Sequence, residues 1–124
     1  MIDYFTAAFF YFLSDIMSDI MDLAALRDAV VNGRAEWLKH SLERMLERGI
    51  SRADVKEALI KGEIIEDYPD DKPYPSALFM GLVENKPLHV VAAHDASSRF
   101  CMVITAYHPD LEHFEKDFKT RRKR

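Results

Sequence analysis

Turn-forming residues divide the second half of this chain into four short apolar runs. Clusters rich in Pro, Asp, Asn, Ser and Lys lie at 69–73, 84–87, 95–98 and 108–110. The runs between them are rich in β-branched and aromatic residues, and such runs closed by turns are typical of an antiparallel meander. We therefore predict four strands, at 63–68, 76–83, 88–94 and 100–107.

The first half of the chain carries helix signals instead. Asp22 precedes a periodic run that ends near Asn32 and Gly33, and Ser51 precedes another that ends at Gly62. Asp and Ser are favoured helix caps, and glycine is common just after a helix. We therefore predict one helix after Asp22 and another after Ser51. Between these two helices we predict a third, over 34–48, that buries Leu38, Leu42, Met45 and Leu46.

A short last helix is predicted behind the sheet, because Leu111, Phe114 and Phe118 recur at spacings of three and four. The predicted fold class is therefore α+β, with N-terminal helices packed on a four-stranded antiparallel sheet and a short C-terminal helix. At 124 residues the chain has the size of one domain. We place this domain at residues 21–122.

Residues 1–20 form an apolar N-terminal extension to that domain. The run 2–13 is too short to span a bilayer, which takes about 20 residues. Three interpretations stay open: an interfacial or oligomer-forming helix, an ordinary core helix, or an extension upstream of a true start at Met17 or Met21. We expect no membrane-spanning role and assign no function to this segment.

The composition narrows the classes of function. A single cysteine, Cys101, excludes an internal disulfide and a zinc site built from thiolates, which fits a reducing, cytoplasmic compartment. The acidic residues between 63 and 71 do not have the spacing of a calcium loop, so no metal site and no cofactor is predicted. The net charge is −4, although residues 116–124 carry six basic residues and one acidic one. Nucleic-acid binding would therefore rest on a local patch, and DNA is not an expected partner.

The predicted second helix carries one candidate surface, formed by Trp37, His40, Arg44 and Arg48 at spacings of three and four. Arginine matches the geometry of phosphate, imidazole transfers protons near neutral pH, and indole stacks on bases. The alternative is a solvated helix face on which Arg44 pairs with Glu47.

Further candidates lie on the predicted sheet and in the tail. His89 is a candidate acid or base, and Tyr68 and Tyr107 are candidate stacking groups or proton donors. Arg121 and Arg122 are candidate phosphate or RNA contacts. The alternatives are a structural sheet histidine for His89, a residue at the edge of the core for Tyr107, and a solvated tail for Arg121 and Arg122. His94 and His108 lie next to turns and are expected to face solvent.

A resemblance spans roughly residues 35–122, and it rests on His40, Arg44, 48–51, 54–55, 62–69, Gly81, 88–90, 103–107 and 109–110. Through these residues the chain resembles the domain-of-unknown-function family numbered 4258. The resemblance implies a small α+β domain broadly similar to the RelE/BrnT-like toxin folds. Members of the family often resemble toxin partners of antitoxins that carry an MqsA-like zinc-finger domain. It implies, by analogy of fold, an RNA-cleaving toxin that needs no metal.

On that interpretation His40, Arg44, Arg48, Tyr68, His89 and Tyr107 form the catalytic set, and Trp37, Arg121 and Arg122 bind RNA. No catalytic set of the RelE type aligns residue by residue. The competing hypothesis is a non-catalytic module that binds a partner protein, since the chain is acidic overall and carries no complete active-site motif.

Overall fold

The computed structural model describes residues 22–123. In chain order the elements are α1 (Leu23–Val31), β1 (Ala35–Trp37), α2 (Lys39–Arg48), α3 (Arg52–Lys61), β2 (Glu63–Tyr68), β3 (Ser76–Val83), β4 (Lys86–Asp95) and β5 (Phe100–Tyr107). The fold is α+β, as predicted. The predicted extension at 1–20 lies outside the described residues.

The predicted helix caps are present at α1 and α3. A carboxylate oxygen of Asp22 accepts a hydrogen bond from the Ala25 amide at 3.0 Å. The Ser51 hydroxyl accepts one from the Asp54 amide, also at 3.0 Å. Both bonds satisfy backbone donors that the first turn of a helix leaves without a partner. Gly49 ends α2 in the left-handed conformation with φ 68°, which a glycine adopts without steric cost.

The sheet has five strands and is mixed, which corrects the prediction of four antiparallel strands. Its order is β1-β5-β4-β3-β2, and β1 runs parallel to β5, whereas the other pairs are antiparallel. Residues 35–37, predicted as helix, pair with 101–103 of β5. The Cys101 amide also donates to the Arg34 carbonyl at 2.8 Å. This long-range pairing outweighs the local helical preference, and α2 begins only at Lys39.

The predicted C-terminal helix is absent from the described residues, and 108–123 form a folded strap of turns, here named the C-terminal strap. Phe114 makes an isolated antiparallel bridge with Arg121. The Asp110 carboxylate accepts from the amides of Glu112 and His113. Asp117 accepts from those of Lys119 and Thr120 in the same way. Aspartate side chains that bond nearby amides favour turns over helix, which explains the failure of the three-and-four spacing.

The hydrophobic core lies between the helices and one face of the sheet. Its fully buried members include Leu26 of α1, Leu59 of α3 and Phe79, Val90 and Val103 of the sheet. The close approach of α3 to β3 depends on Gly81. A Cβ atom there would lie 2.7 Å from the Ala58 Cα, well inside van der Waals contact.

The inward face of α2 differs from the predicted one. Leu46 is 84% exposed, whereas Ser41 is buried and its hydroxyl donates to the Ile104 carbonyl. Met45 is buried as predicted. No helix within residues 22–123 is long and apolar enough to cross a membrane.

The other face of the sheet carries polar and ionisable residues. Antiparallel partners share a face, so the register places Glu66 beside Leu78, and His89 between Met80 and Tyr107. The C-terminal strap packs against this face and anchors to it through ion pairs and a backbone carbonyl. The candidate site lies where this strap meets the ends of β5 and α2.

Candidate active site

His89 is the buried centre of the polar face. Its Nε2 lies 2.6 Å from the Phe118 carbonyl oxygen in the C-terminal strap, and its Nδ1 lies 3.3 Å from the Tyr107 hydroxyl. A carbonyl only accepts, so Nε2 carries the proton and Nδ1 accepts from the tyrosine. Burial lowers the pKa of His89, although the bond to Phe118 opposes that shift. His89 is therefore a neutral imidazole with a defined tautomer.

Aromatic rings enclose this imidazole. The Phe114 ring meets it edge-on with centroids 4.6 Å apart, and the Tyr107 ring does so at 5.3 Å. Edge-to-face contacts of this kind are favourable and fix the ring planes. Burial raises the pKa of Tyr107, so its hydroxyl stays protonated at neutral pH.

An ion-pair network lies beside His89. The Arg121 guanidinium contacts both carboxylate oxygens of Glu66, with Nε–Oε1 at 2.6 Å and Nη2–Oε2 at 3.2 Å. The Tyr68 hydroxyl donates to the same carboxylate. Burial alone would raise the pKa of Glu66, but the bonds from Arg121 and Tyr68 outweigh it, and the pKa is lowered. The Arg121 guanidinium also lies 5.1 Å from the centroid of the Phe114 ring.

A cavity of about 350 Å³ opens next to this network. It is lined by Arg48, Tyr107, His108, Pro109, Asp110, His113, Phe114 and Arg121. Cavities of this size are typical of small-ligand sites. Arg48, the last residue of α2, is held at the rim because its Nη1 donates to the Ala106 carbonyl at 2.8 Å.

Two exposed imidazoles in the cavity wall are oriented alike. The Nδ1 of His108 lies 3.1 Å from the Pro87 carbonyl oxygen, and the Nδ1 of His113 lies 2.8 Å from a carboxylate oxygen of Asp110. Both partners are acceptors, so Nδ1 carries the proton in each ring. Each Nε2 is left without a hydrogen-bond partner from residues 22–123 and is available to a ligand.

Asp110 is the orienting group for His113. Its Oδ1 accepts from the His113 ring and from the amides of Glu112 and His113. The bond from the His113 side chain is the main reason that the pKa of Asp110 is lowered. A carboxylate that fixes the tautomer of an imidazole is a recurring element of acid–base sites.

Of the nine residues predicted from sequence, the structure brings five into this region. Arg48, Tyr107 and Arg121 line the cavity, His89 lies directly behind Tyr107, and Tyr68 reaches Arg121 through Glu66. Sequence reasoning missed Glu66, His108, Asp110 and His113 as site residues. Asp110 and His113 lie three residues apart, directly after a proline. This spacing was the one sequence signal that could have indicated that the Asp110 carboxylate bonds the His113 ring.

The other four predicted residues lie elsewhere. His40 and Arg44 are exposed on α2, where Arg44 pairs with Glu47 at 3.4 Å. Trp37 lies in β1, with the Arg52 guanidinium 5.9 Å from its ring centroid. Arg122 donates to the Leu111 carbonyl and pairs with Glu115 at 3.1 Å, inside the C-terminal strap. The predicted helical stripe therefore contributes only Arg48 to the cavity.

Two histidines expected to face solvent differ in outcome. His108 is exposed, as predicted, but it also lines the cavity. The prediction for His94 is wrong: it is 8% exposed, and its Nε2 has no hydrogen-bond partner among residues 22–123. Burial lowers the pKa of His94.

Within residues 22–123, one group of side chains could hold a metal ion by distance alone. Ligand atoms of Asp110, Glu112 and His113 lie within 4.8 Å of one another, and all three residues are exposed. The Asp110 Oδ1 and the His113 Nδ1 are already bonded to each other. We assign no metal role to this group.

The fold and cavity define a small α+β domain with a polar site between its sheet and its C-terminal strap. The model of a family described as a domain of unknown function, DUF4258, matches residues 37–108. That match covers more than half of the chain, and the chain belongs to this family. Neither the curated proteins nor the solved structures include a match. Because the family match ends at His108, the strap residues Asp110, His113 and Arg121 lie beyond it.

Proposed function

We propose that this chain is a metal-independent ribonuclease of the toxin type and that it cleaves RNA in the cavity between β5 and the C-terminal strap. One observation carries the proposal. Two imidazoles with available Nε2 atoms and two arginines line a single cavity of about 350 Å³. This is a set of groups that can transfer protons and hold a phosphate without a metal ion.

The reaction is a transfer of the phosphodiester within the RNA chain. The ribose 2′-oxygen attacks the neighbouring phosphorus, and its proton passes to the Nε2 of one imidazole. As the bond between phosphorus and the 5′-oxygen breaks, the second imidazole, protonated beforehand, gives its Nε2 proton to that oxygen. The products end in a 2′,3′-cyclic phosphate and a 5′-hydroxyl. His108 and His113 are the catalytic residues of this proposal, and Asp110 orients His113.

Arg48 and Arg121 hold the phosphate and stabilise the negative charge that develops on its oxygens. Both are fixed before a ligand arrives, Arg48 by the Ala106 carbonyl and Arg121 by Glu66. Such preorganisation reduces the free energy needed to order the site on binding. The net charge of −4 is compatible with RNA binding because the cationic groups are local.

The partner in this proposal is an antitoxin with a zinc-finger domain that blocks the site. The alternative, a non-catalytic interaction module, is favoured by one observation. The chain carries a net charge of −4, which disfavours binding to nucleic acid over its surface as a whole. An RNA-cleavage assay distinguishes the two hypotheses, because an interaction module does not cleave RNA.

The test is cleavage of a short RNA by the purified chain in the presence of a chelator. We expect products ending in a 2′,3′-cyclic phosphate and no cleavage where a 2′-deoxyribose precedes the scissile phosphate. His113→Ala and His108→Ala should each reduce the rate about 100-fold or more, the usual size of an acid–base contribution. Induced expression should arrest growth for the wild-type chain and not for these variants.

His40→Ala is the matched control, because His40 is an exposed histidine that does not line the cavity. Its activity should stay close to wild type. Loss of cleavage in His40→Ala with full activity in His108→Ala and His113→Ala would move the site to the face of α2. A folded wild-type chain that cleaves no RNA and arrests no growth would favour the interaction module.

A further inference from the structure

We infer that the Tyr107 hydroxyl oxygen recognises a ribose by accepting a hydrogen bond from its 2′-hydroxyl. His89 is the positioning residue that keeps the Tyr107 oxygen available as an acceptor. The inference rests on the proposed function and adds to it the chemical class of the ligand, a ribonucleotide 3′-phosphate. It is carried by the chain of hydrogen bonds from the C-terminal strap to the cavity.

The first step is the fixed tautomer of His89. Its Nε2 donates to the Phe118 carbonyl at 2.6 Å, which leaves Nδ1 as an acceptor. The strap holds that carbonyl in place, because the Phe118 amide donates to the Glu115 carbonyl at 2.9 Å and Asp117 bonds the next two amides. The imidazole therefore offers the cavity side one lone pair and no proton.

The second step is the direction of the Tyr107 hydroxyl. Its oxygen lies 3.3 Å from the His89 Nδ1, and the phenol has only one proton to give. Burial keeps that proton on the phenol by raising the pKa of Tyr107. With the O–H directed at His89, the hydroxyl offers the cavity only lone pairs.

The third step concerns which ligand can use such an acceptor. Phosphate oxygens at neutral pH accept hydrogen bonds, and the 2′-carbon of a deoxyribose donates none. A ribose 2′-hydroxyl has one proton to donate. In the bound 3′-monophosphate this proton is directed at Tyr107, and in the cleavage reaction the same hydroxyl turns to the catalytic imidazole. The hydroxyl lies next to the 3′-phosphate that Arg48 and Arg121 are placed to bind. An acceptor beside two cationic donors therefore matches a ribonucleotide and not its deoxy counterpart.

The experiment compares the affinities of the four ribonucleoside 3′-monophosphates with those of their 2′-deoxy counterparts, by calorimetry on the full chain. We expect the wild-type chain to bind the ribonucleotide about tenfold more tightly, the effect of one lost hydrogen bond. Tyr107→Phe should reduce this ratio to about one, because the ring remains and only the acceptor is lost. Thermal melting of each variant confirms that it is folded.

Two substitutions test the positioning role of His89. His89→Gln should keep the preference, since its amide oxygen accepts from Tyr107 and its amide nitrogen donates to the Phe118 carbonyl. His89→Leu should lower the ratio, because the tyrosine hydroxyl is no longer held. A full preference in His89→Leu would overturn the positioning role, and a full preference in Tyr107→Phe would overturn the recognition itself.

The failure of this inference is distinct from a failure of the proposed function. A wild-type chain that cleaves RNA but binds both sugars equally refutes the recognition by Tyr107 and leaves the ribonuclease intact. A chain that binds neither nucleotide and cleaves no RNA refutes both.

Discussion

The two faces of the sheet are built from different chemistry. The face toward the helices is mainly apolar, with Phe79, Val90 and Val103 fully buried against α1 and α3. The face toward the C-terminal strap also holds buried apolar residues of β3, but it carries Glu66 and His89, whose side chains are satisfied by hydrogen bonds. One sheet thus supports a non-directional core on one side and a directional network on the other.

Because of this difference, substitutions on the two faces should affect stability in different ways. An apolar core gains free energy roughly in proportion to buried area, so each residue acts nearly alone. A buried polar network depends on every member, because an unsatisfied donor or acceptor carries the full desolvation cost. The strap supplies the Phe118 carbonyl and Arg121, and both lie beyond the family match. The polar face therefore depends on a segment that lies beyond the matched residues.

The largest effect is expected from the apolar face. Phe79→Ala should lower the free energy of unfolding by about 3–5 kcal/mol, the cost of an unfilled cavity in a packed core. Denaturant unfolding measures it. Leu82→Ala on the same strand is the matched control, since Leu82 is 61% exposed and should change stability by no more than about 0.5 kcal/mol. Equal losses in the two variants would show that the helix-side face is not the stabilising one.

Two buried histidines of β4 should make stability depend on pH in a defined window. His89 lies on the face toward the strap, and His94 lies on the face toward the helices. The pKa values of His89 and His94 are both lowered by burial from the usual 6.5. The unfolded chain then binds protons that the native chain does not, so their contribution is fully present above pH 6.5 and is lost as the pH falls through the native pKa values. We expect the melting temperature to fall between pH 7.5 and 5.5, with a smaller loss of stability than in Phe79→Ala.

His89→Gln isolates one of the two groups, because glutamine offers both an acceptor and a donor and does not titrate. In this variant the melting temperature should change less steeply with pH, and the change that remains is assigned to His94. The carboxylates Glu66, Asp110 and Asp117 do not interfere above pH 5.5: their pKa values are lowered, that of Asp117 to about 2, so their contributions are lost only at more acidic pH. If the melting temperature of His89→Gln changed with pH as steeply as that of the wild type, His89 would have the same pKa in the native and the unfolded chain.

Local signals explain which parts of the fold the sequence could predict. Asp22, Ser51 and Gly49 act within one turn of their own helix, and the turns after Tyr68 and Val83 act on neighbouring strands. By contrast, β1 exists only because residues 35–37 meet 101–103, more than sixty positions along the chain. Nothing adjacent to Ala35 indicates that partner, so the segment was assigned to the following helix.

The candidate site also depends on long-range contacts that the local sequence does not indicate. Tyr107, His89 and Arg121 could be chosen singly by residue type, but their convergence depends on how the strap folds back, and that segment was predicted as a helix. The Asp110–His113 pair is local and was open to discovery from spacing. His40 and Arg44 are exposed on α2 and do not line the cavity, so the proposed site leaves them out and the His40→Ala control tests the predicted role of His40.

The smallest effect compares two ion pairs between the strap and β2. Arg121→Met should lower the free energy of unfolding by about 1 kcal/mol, because it removes a two-point bond to a partly buried carboxylate. Lys119→Met, the control, should change it by about 0–0.5 kcal/mol, because Lys119 and Glu63 form a single exposed pair. The relevant exposures are 25% for the Glu66 side chain and 54% for that of Glu63. Since salt screens exposed charges, the difference between the variants should persist at 1 M salt if burial of Glu66 is its cause. Equal effects at low salt would place both pairs among ordinary surface contacts and would leave the polar face held to the strap mainly by His89.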